Sequence, residues 1–243
     1  MLVLLPPSET KAPGGDGPPL DLDALSFAEL NPVRRKIADA LVELAADVPA
    51  SLHALGLSAR QEDEVARNAA LWTSLTLPSL ERYTGVLYDA LDIGSFTKAQ
   101  LLKSQQRLAV ASALFGVARG ADRIPAYRLS GGSSLPALGA LRSLWRPALE
   151  PVFTGLDELV VDLRSGAYAA LARIPGAVTV RVVTPRGKTI SHHNKAYKGK
   201  LAAVLAKAPR QPSTVEGLLT IATRAGLPVE RMGDLELELH TEG

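Results

Sequence analysis

The chain has 243 residues, of which 47% are hydrophobic and 21% charged, which is the balance of a globular protein able to bury a sizeable core. It contains no cysteine, and this excludes disulfides, thiolate metal sites, iron–sulfur clusters and thiol-based peroxide chemistry. No apolar run reaches the ~18 residues of a membrane span, and the first residues lack the pattern of a signal peptide. We therefore expect one cytoplasmic domain over residues 1–243, with no membrane partner.

Positive charge is concentrated in the second half of the chain, although the net charge is only +2. Residues 98–215 carry 18 lysines and arginines against five acids, and residues 163–215 carry ten bases and no acid. Such uncompensated charge repels itself, whereas a polyanion stabilises it through counterion release. A phosphate-bearing partner is the leading hypothesis. The alternative is that these bases interleave in space with the acidic first part of the chain, which would make an ordinary mixed-charge surface.

The first part of the chain is predicted to be mainly helical after one buried strand. The strand covers residues 1–5 and is followed by a Pro/Gly-rich loop to residue 19. A helix begins at Asn31-Pro32, because proline is favoured in the first helical turn. Ser58 and Gln61 form a capping box for a helix that runs toward residue 71, and a third helix is predicted over residues 80–91.

The second part of the chain alternates between predicted strands and helices, which places the fold in the α/β or α+β class. We expect one domain in which helices surround a mixed central sheet. The predicted strands after the first are residues 108–114, 158–162, 177–183, 188–192 and 235–239, with the third and fourth of these forming a hairpin and residues 115–122 a turn. The predicted helices are residues 137–149, 165–173, 195–207 and 214–225, the last capped by Ser213.

The sequence lacks the common nucleotide and metal motifs. There is no GxxxxGK[ST] and no GxGxxG, and a single glycine-rich step at residues 131–134 is too short to be diagnostic. The four histidines show no HExxH spacing, and the adjacent pair His192-His193 would point apart on a strand. We therefore expect no metal site and no cofactor.

Polar residues gather at three places where predicted strands end, the position where open α/β sheets carry functional groups. We predict that these segments converge on an anion-binding site, in which Arg119 and Arg128 grip phosphate and Asp122 orients a guanidinium. The predicted phosphate- or DNA-binding residues are Ser8, Lys11, Arg119, Arg128, His193, Lys195, Lys198 and Lys200. The predicted site-orienting residues are Asp122, Tyr127, Ser165 and Tyr168.

Each of these residues also has an ordinary structural interpretation. Lys11 is equally typical of a solvated loop, and Arg119 with Asp122 is typical of an ion pair that fixes a turn. The lysines of residues 195–207 would form the wet face of a helix, although that helix has no acid for the usual i,i+4 pairing. Most tyrosines are expected in the core, with a hydrogen-bonded hydroxyl.

Short motifs in this order resemble the YaaA family of bacterial peroxide stress proteins, over nearly the whole chain. They are Pro7-Ser8-x-Thr10-Lys11, Tyr83-Thr84-Gly85, Leu114-Phe115-Gly116-Val117, Arg119, Asp122, Pro125, Tyr127-Arg128-Leu129, Val160-Val161-Asp162-Leu163, Ser165, Tyr168, Lys188-Thr189-Ile190-Ser191, Lys195 and Lys198-Gly199. The resemblance implies an α/β body of unusual topology, a basic cleft, binding to duplex or distorted DNA, and a part in limiting iron-driven damage. It also implies a helix-hairpin-helix element, for which residues 214–228 and 173–177 are the two weak candidates.

Two functions of different classes remain open from the sequence. The first is a non-enzymatic DNA-binding protein of the peroxide stress response. The second is an enzyme that acts on a nucleotide or another phosphorylated small molecule in the same cleft. Direct iron sequestration has little support, because the basic half of the chain lacks the carboxylates and histidines that iron sites need.

Overall fold

The structure is a computed structural model that describes residues 1–184 and 191–241, without the side chains of residues 191–193. The helices are α1 Asn31–Leu44, α2 Val48–Leu55, α3 Glu62–Ala69, α4 Ser79–Arg82, α5 Val86–Leu91, α6 Lys98–Arg107, α7 Leu141–Thr154, α8 Gly166–Ala169, α9 Ser191–Lys207 and α10 Val215–Arg224. The strands are β1 Leu2–Leu5, β2 Leu77–Pro78, β3 Leu108–Ser112, β4 Gly116–Arg119, β5 Arg123–Ile124, β6 Ser134–Leu135, β7 Gly139–Ala140, β8 Val160–Asp162, β9 Val178–Val183, β10 Val229–Arg231 and β11 Glu236–His240. None of the helices in these described ranges is long and apolar enough to cross a membrane.

A seven-stranded mixed sheet forms the centre of the fold, in the order β10-β11-β9-β8-β1-β3-β4. The five strands from β11 to β3 are parallel, and the outer strands β10 and β4 pair antiparallel with their neighbours. All four residues of β1 are buried, as expected for a central strand covered on both faces. β9 and β11 instead alternate between buried and less buried residues, because one face of each looks toward the core. The predicted α/β class with a mixed central sheet is confirmed.

Five of the predicted strands are confirmed, at β1, β3, β8, β9 and β11. The prediction of a strand at residues 188–192 is wrong at its end, because Ser191 and His192 begin α9; residues 185–190 lie outside the described residues. β4 and β10 were not predicted. Residues 116–119 include glycine and alanine and follow a tight turn, so the sequence favours a turn where the structure has an edge strand.

The predicted helices are mostly found, with shifted ends. α1 starts at Asn31 with Pro32 in its first turn, and Ser58 with Gln61 forms the capping box before α3. The single helix predicted over residues 80–91 is wrong: it is split into α4 and α5 at Gly85, whose φ of 100° lies outside the helical region. α7 continues to residue 154 despite two internal prolines, and α8 is shorter than predicted.

The cap of α10 and the helix-hairpin-helix candidates also differ from the prediction. Thr214, rather than Ser213, caps α10 by accepting a hydrogen bond of 3.1 Å from the Gly217 N–H. The segment after α10 is β10, and the segment after Gly176 is β9, so neither candidate position carries a second helix. The helix-hairpin-helix element stays a prediction without a place in the described residues.

Close packing of α9 against α5 depends on Gly199. A Cβ added at Gly199 would lie 2.2 Å from the Leu87 carbonyl oxygen and 2.9 Å from the Ala90 Cβ. We expect Gly199→Ala to lower the free energy of unfolding by about 1–3 kcal/mol, because overpacking outweighs the ~1 kcal/mol gain in helix propensity. Urea denaturation followed by circular dichroism measures this. Gly94→Ala is the control, since its Cβ would meet no atom within 4 Å; a larger loss in the control would contradict the packing argument.

Candidate functional site

The carboxyl ends of the parallel strands β1, β3 and β8 meet at one border of the sheet, called the carboxyl edge below. Segment 6–11 follows β1 there, Ser112 ends β3, and residues 163–164 follow β8. The segment after β1 is held against the break between α4 and α5. The Ala12 N–H donates to the Arg82 carbonyl at 2.8 Å, Thr10 Oγ1 donates to the Thr84 carbonyl at 3.3 Å, and Lys11 forms a β-bridge with Tyr83. This attachment turns the Lys11 side chain back over the edge.

Lys11 is a buried lysine whose amine lies against two aromatic rings. The residue is 8% exposed, and its Nζ donates to the Ser8 carbonyl at 3.2 Å. The same nitrogen lies 4.2 Å from the centre of the Tyr127 ring and 5.3 Å from that of Tyr83. Burial lowers the pKa of Lys11 to about 7, against the opposing attraction of Glu9. The faces of the two rings attract a cation, so they too oppose this lowering.

A chain of buried hydroxyl groups lies beneath Lys11. Tyr127 Oη is 2.8 Å from Tyr83 Oη and 2.7 Å from Ser112 Oγ. Ser112 Oγ already accepts from the N–H groups of Leu114 and Phe115, at 3.2 and 2.9 Å, so its own proton is donated to Tyr127. Burial raises the pKa of Tyr83 to about 12 and that of Tyr127 above its usual range. These phenols therefore stay neutral at physiological pH.

Two ion pairs flank Lys11 from different elements. Arg128 Nη2 is 3.0 Å from Glu9 Oε2, and Arg67 Nη1 is 2.8 Å from Glu64 Oε1 on α3. Asn68 fixes the Arg128 backbone through two hydrogen bonds, of 2.7 and 2.9 Å. The second carboxylate oxygen of Glu64 is buried and accepts no hydrogen bond from the part of the chain that the structure describes. This oxygen therefore keeps the capacity to accept a hydrogen bond.

Tyr168 and Ser165 lie on the loop and short helix that follow β8. Tyr168 is buried, its Oη accepts from the Gly131 N–H at 3.1 Å, and burial raises its pKa above the usual range. Ser165 is exposed, and its carbonyl accepts from the N–H groups of Tyr168 and Ala169 at 3.0 and 2.8 Å. Tyr168 therefore fastens the glycine-rich loop of residues 131–132 beside the edge, whereas Ser165 shapes the start of α8.

Lys198 and Arg164 have structural roles at the end of β8. Both Nε and Nη2 of Arg164 donate to Asp162, each at 2.9 Å. Lys198 Nζ donates to the carbonyls of Leu163 and Arg164 at 3.0 and 3.4 Å, and burial lowers its pKa while Asp162 opposes that shift. Lys198 thus ties α9 to the end of β8, and it is less available for a phosphate than the sequence suggests.

Lys195 and Lys200 are the exposed lysines of the first half of α9. Lys195 lines a cavity of about 270 Å³ at the carboxyl edge, formed by residues 6–10, residues 84–88 and Lys195 itself. Lys200 Nζ lies 4.6 Å from the centre of the Tyr197 ring. The structure therefore brings Ser8, Lys11, Tyr127, Arg128, Tyr168, Lys195 and Lys198 to the same side of the sheet. The side chain of His193 lies outside the described residues.

The prediction that Arg119 converges with these residues is wrong. β4 runs antiparallel to β3, so its last residue, Arg119, pairs with Ala109 at the start of β3 and lies at the opposite border of the sheet. There Arg119 donates to the Gln106 carbonyl at 2.6 Å and pairs with Glu158 at 3.3 Å. Asp122 accepts from the N–H of Arg119 at 2.8 Å and from the Ser26 hydroxyl at 2.8 Å. It orients a backbone turn instead of a phosphate-binding guanidinium.

Comparison with known proteins places the chain in a family. The family model described as peroxide stress protein YaaA matches residues 1–230. The chain belongs to the YaaA family of peroxide stress proteins. It is 49% identical over 238 residues to a UPF0246 protein of Corynebacterium efficiens, with 95% of each chain covered. It is 43% identical over 239 residues to a UPF0246 protein of Streptomyces coelicolor, covering 95% of this chain and 92% of that one.

The YaaA match includes all residues of the carboxyl edge named above. Within this YaaA-family chain, sequence reasoning missed Glu9, Glu64 and Arg67 as members of the site. Glu9 belongs to the polar segment of residues 8–11, so its position after a predicted strand could have identified it from the sequence. Glu64 lies in the first turn of α3 and Arg67 in its last turn, 53 or more residues along the chain from Lys11, and only the tertiary fold brings them near it.

Proposed function

We propose that this YaaA-family chain serves the peroxide stress response by binding the phosphate backbone of DNA at the carboxyl edge. The observation that carries the proposal is the position of Lys195, which is exposed and lines the cavity together with Ser8 and Thr10. An exposed ammonium beside hydroxyl groups is a suitable donor set for phosphate oxygens. A DNA partner also implies a place in the cytoplasm and a protective role in which bound DNA is shielded from iron-driven damage.

The charge distribution supports α9 more strongly than the rest of the basic segment. On β9, Arg181 is 3.4 Å from Glu238 of β11, so part of the acid-poor stretch is compensated by a neighbouring strand. α9 carries no acid, and Lys195 and Lys200 on it are exposed. Neither Lys195 nor Lys200 forms an ion pair with another described residue, and Glu9, the acid that lines the cavity with Lys195, is already paired with Arg128. Both lysines therefore remain available to a polyanion.

The test is the salt dependence of DNA binding by the double variant Lys195→Ala/Lys200→Ala. Each phosphate contact contributes about −0.9 to the slope of log K against log salt on duplex DNA, so we expect the slope to become shallower by about two units. Affinity should fall alike for all sequences, because phosphates carry no base identity. Fluorescence anisotropy with labelled duplex and bubble DNA, between low and moderate salt, measures both effects.

Two controls separate charge from structure in this experiment. Lys36→Ala/Lys98→Ala removes the same charge from exposed positions on α1 and α6, and it should leave the slope unchanged. Lys198→Ala is the control for structure: it should lower the free energy of unfolding, because Lys198 donates hydrogen bonds to two carbonyls after β8. Equal slopes for the wild type and the Lys195→Ala/Lys200→Ala variant would rule out the α9 lysines as the DNA contacts.

The cavity favours a second candidate, an enzyme acting on a phosphorylated small molecule. Its volume of about 270 Å³ is just below the usual range for ligand sites, and Lys195 lies at its wall. A thermal shift assay with a panel of nucleotides and with inorganic phosphate tests this candidate. A shift that disappears in Lys195→Ala would support it, and unchanged melting with every compound would contradict it.

A further inference from the structure

Lys11 has the surroundings of a reactive amine. Its Nζ has one oxygen partner among the described residues, the Ser8 carbonyl at 3.2 Å, and rests on the faces of Tyr127 and Tyr83. A structural lysine normally places its three donors on oxygen acceptors or in water. Burial instead removes water from the amine, as in sites where a lysine reacts without its proton, and it outweighs the attraction of the two ring faces for the ammonium form.

The charged groups around Lys11 largely offset one another, and none of them is a carboxylate bonded directly to its amine. Glu9 and Glu64 attract its proton, whereas Arg128 and Arg67 repel it, and each acid is already bound to one of these arginines. From β3 and the loop before Arg128, the facing groups are the neutral hydroxyls of Ser112 and Tyr127. The pairs therefore cancel to a large extent, and desolvation is left as the main influence on the amine.

We propose that Lys11 forms a covalent imine with a small aldehyde or ketone bound at the carboxyl edge. The Nζ lone pair attacks the carbonyl carbon and forms the C–N bond, while the carbonyl oxygen takes up a proton to give a carbinolamine. The C–O bond then breaks, and the oxygen leaves as water with the two protons that the amine has lost. The reaction needs no oxidant or reductant, and it goes beyond DNA binding, which requires no covalent step.

The surrounding groups indicate which carbonyl compound fits. A hydroxyl group on the ligand would supply a donor for Glu64 Oε2, which accepts no hydrogen bond from the described residues. Ser8, whose carbonyl holds Lys11, also lines the cavity in which Lys195 stands, so an anionic group on the ligand has a cation to meet. A short hydroxyaldehyde with a phosphate group meets these conditions.

Reductive trapping tests the proposal on the full chain. The protein is incubated with glyceraldehyde 3-phosphate and sodium cyanoborohydride, which reduces the imine to a stable amine, and the modified lysines are found by peptide mass mapping. Because burial lowers the pKa of Lys11, a much larger fraction of its amine is neutral near pH 7 than for an exposed lysine of ordinary pKa. We expect Lys11 to be labelled at least tenfold faster than the exposed Lys36 and Lys98, with a rate that levels off above pH 8.

Variants and a second probe complete the test. Lys11→Arg removes the nucleophilic amine, so the fast phase should be lost while the circular dichroism spectrum stays unchanged. Glycolaldehyde, which lacks phosphate, should label Lys11 more slowly if Lys195 guides the ligand, and Lys195→Ala should remove that difference. Mass mapping of the wild type decides the matter even if Lys11→Arg fails to fold. Labelling of the exposed lysines ahead of Lys11, or a Lys11 that stays unlabelled at pH 8, would overturn the proposal.

Discussion

Arg34→Met is expected to lower the free energy of unfolding by about 3 kcal/mol, because it leaves several buried acceptors without a donor. Arg34 is fully buried, and its guanidinium donates to the carbonyls of Phe115, Val117 and Ser26 at 3.0, 2.9 and 2.8 Å. It also donates to Asn31 Oδ1 at 2.8 Å. Methionine fills most of the side-chain volume but makes none of these bonds. Urea denaturation followed by circular dichroism gives the difference.

The neighbouring Arg35 provides the matched control for this substitution. It is exposed on the same helix, with its guanidinium carbon 5.5 Å from the centre of the Trp72 ring. We expect Arg35→Met to change the free energy of unfolding by less than about 1 kcal/mol, in line with exposed cation–π contacts. Similar losses for the two variants would mean that the buried hydrogen bonds of Arg34 contribute little beyond the loss of a charge.

Lys11→Met is expected to stabilise the protein relative to the wild type, and this gain in the free energy of unfolding should be larger at low pH than at high pH. In the unfolded chain Lys11 titrates near its ordinary value of about 10.4, whereas burial lowers its pKa in the folded protein to about 7. Between these values the unfolded chain binds more protons, so the wild-type free energy of unfolding rises with pH across this window. The variant lacks that rise. Its advantage should therefore shrink by about 3–4 kcal/mol between pH 6 and pH 10.

Urea denaturation of both proteins at several pH values between 6 and 10 measures this effect. Lys36→Met, at an exposed position of α1, serves as the control and should differ from the wild type by a constant amount across the window. A constant difference for Lys11→Met as well would show that burial does not shift the pKa of Lys11 in the folded protein.

Most strands of the sheet could be predicted from local sequence patterns, and the failure to predict β4 has a local explanation. The run Leu2–Leu5 is continuously apolar and lies at the centre, and the alternation in Glu236–His240 matches a strand with one buried face. β4 was missed because residues 116–119 include glycine and alanine, which have low strand propensity. Its antiparallel direction depends on a tight turn after β3, and the hydrophobic pattern does not indicate direction.

The candidate site was predictable where it follows a strand end and unpredictable elsewhere. Ser8 and Lys11 come directly after β1, so the rule for parallel strands placed them correctly at the carboxyl edge. The same rule failed for Arg119, because it assumes a parallel strand and β4 is antiparallel. Spacing along the chain also does not reveal that Lys198 bonds backbone carbonyls, whereas Lys195, only three residues earlier, faces the cavity.

Arg34 has one more consequence, which concerns association between molecules. β4 is an edge strand of the sheet, and the carbonyls of an edge strand can pair with another chain when no other element covers them. Arg34 occupies the Val117 carbonyl of β4, at 2.9 Å. The other edge strand, β10, has only three residues and carries the exposed, oppositely charged Glu230 and Arg231. Both edge strands thus resist the addition of a strand from another molecule. Loss of Arg34 is therefore expected to promote aggregation through β4 in addition to unfolding.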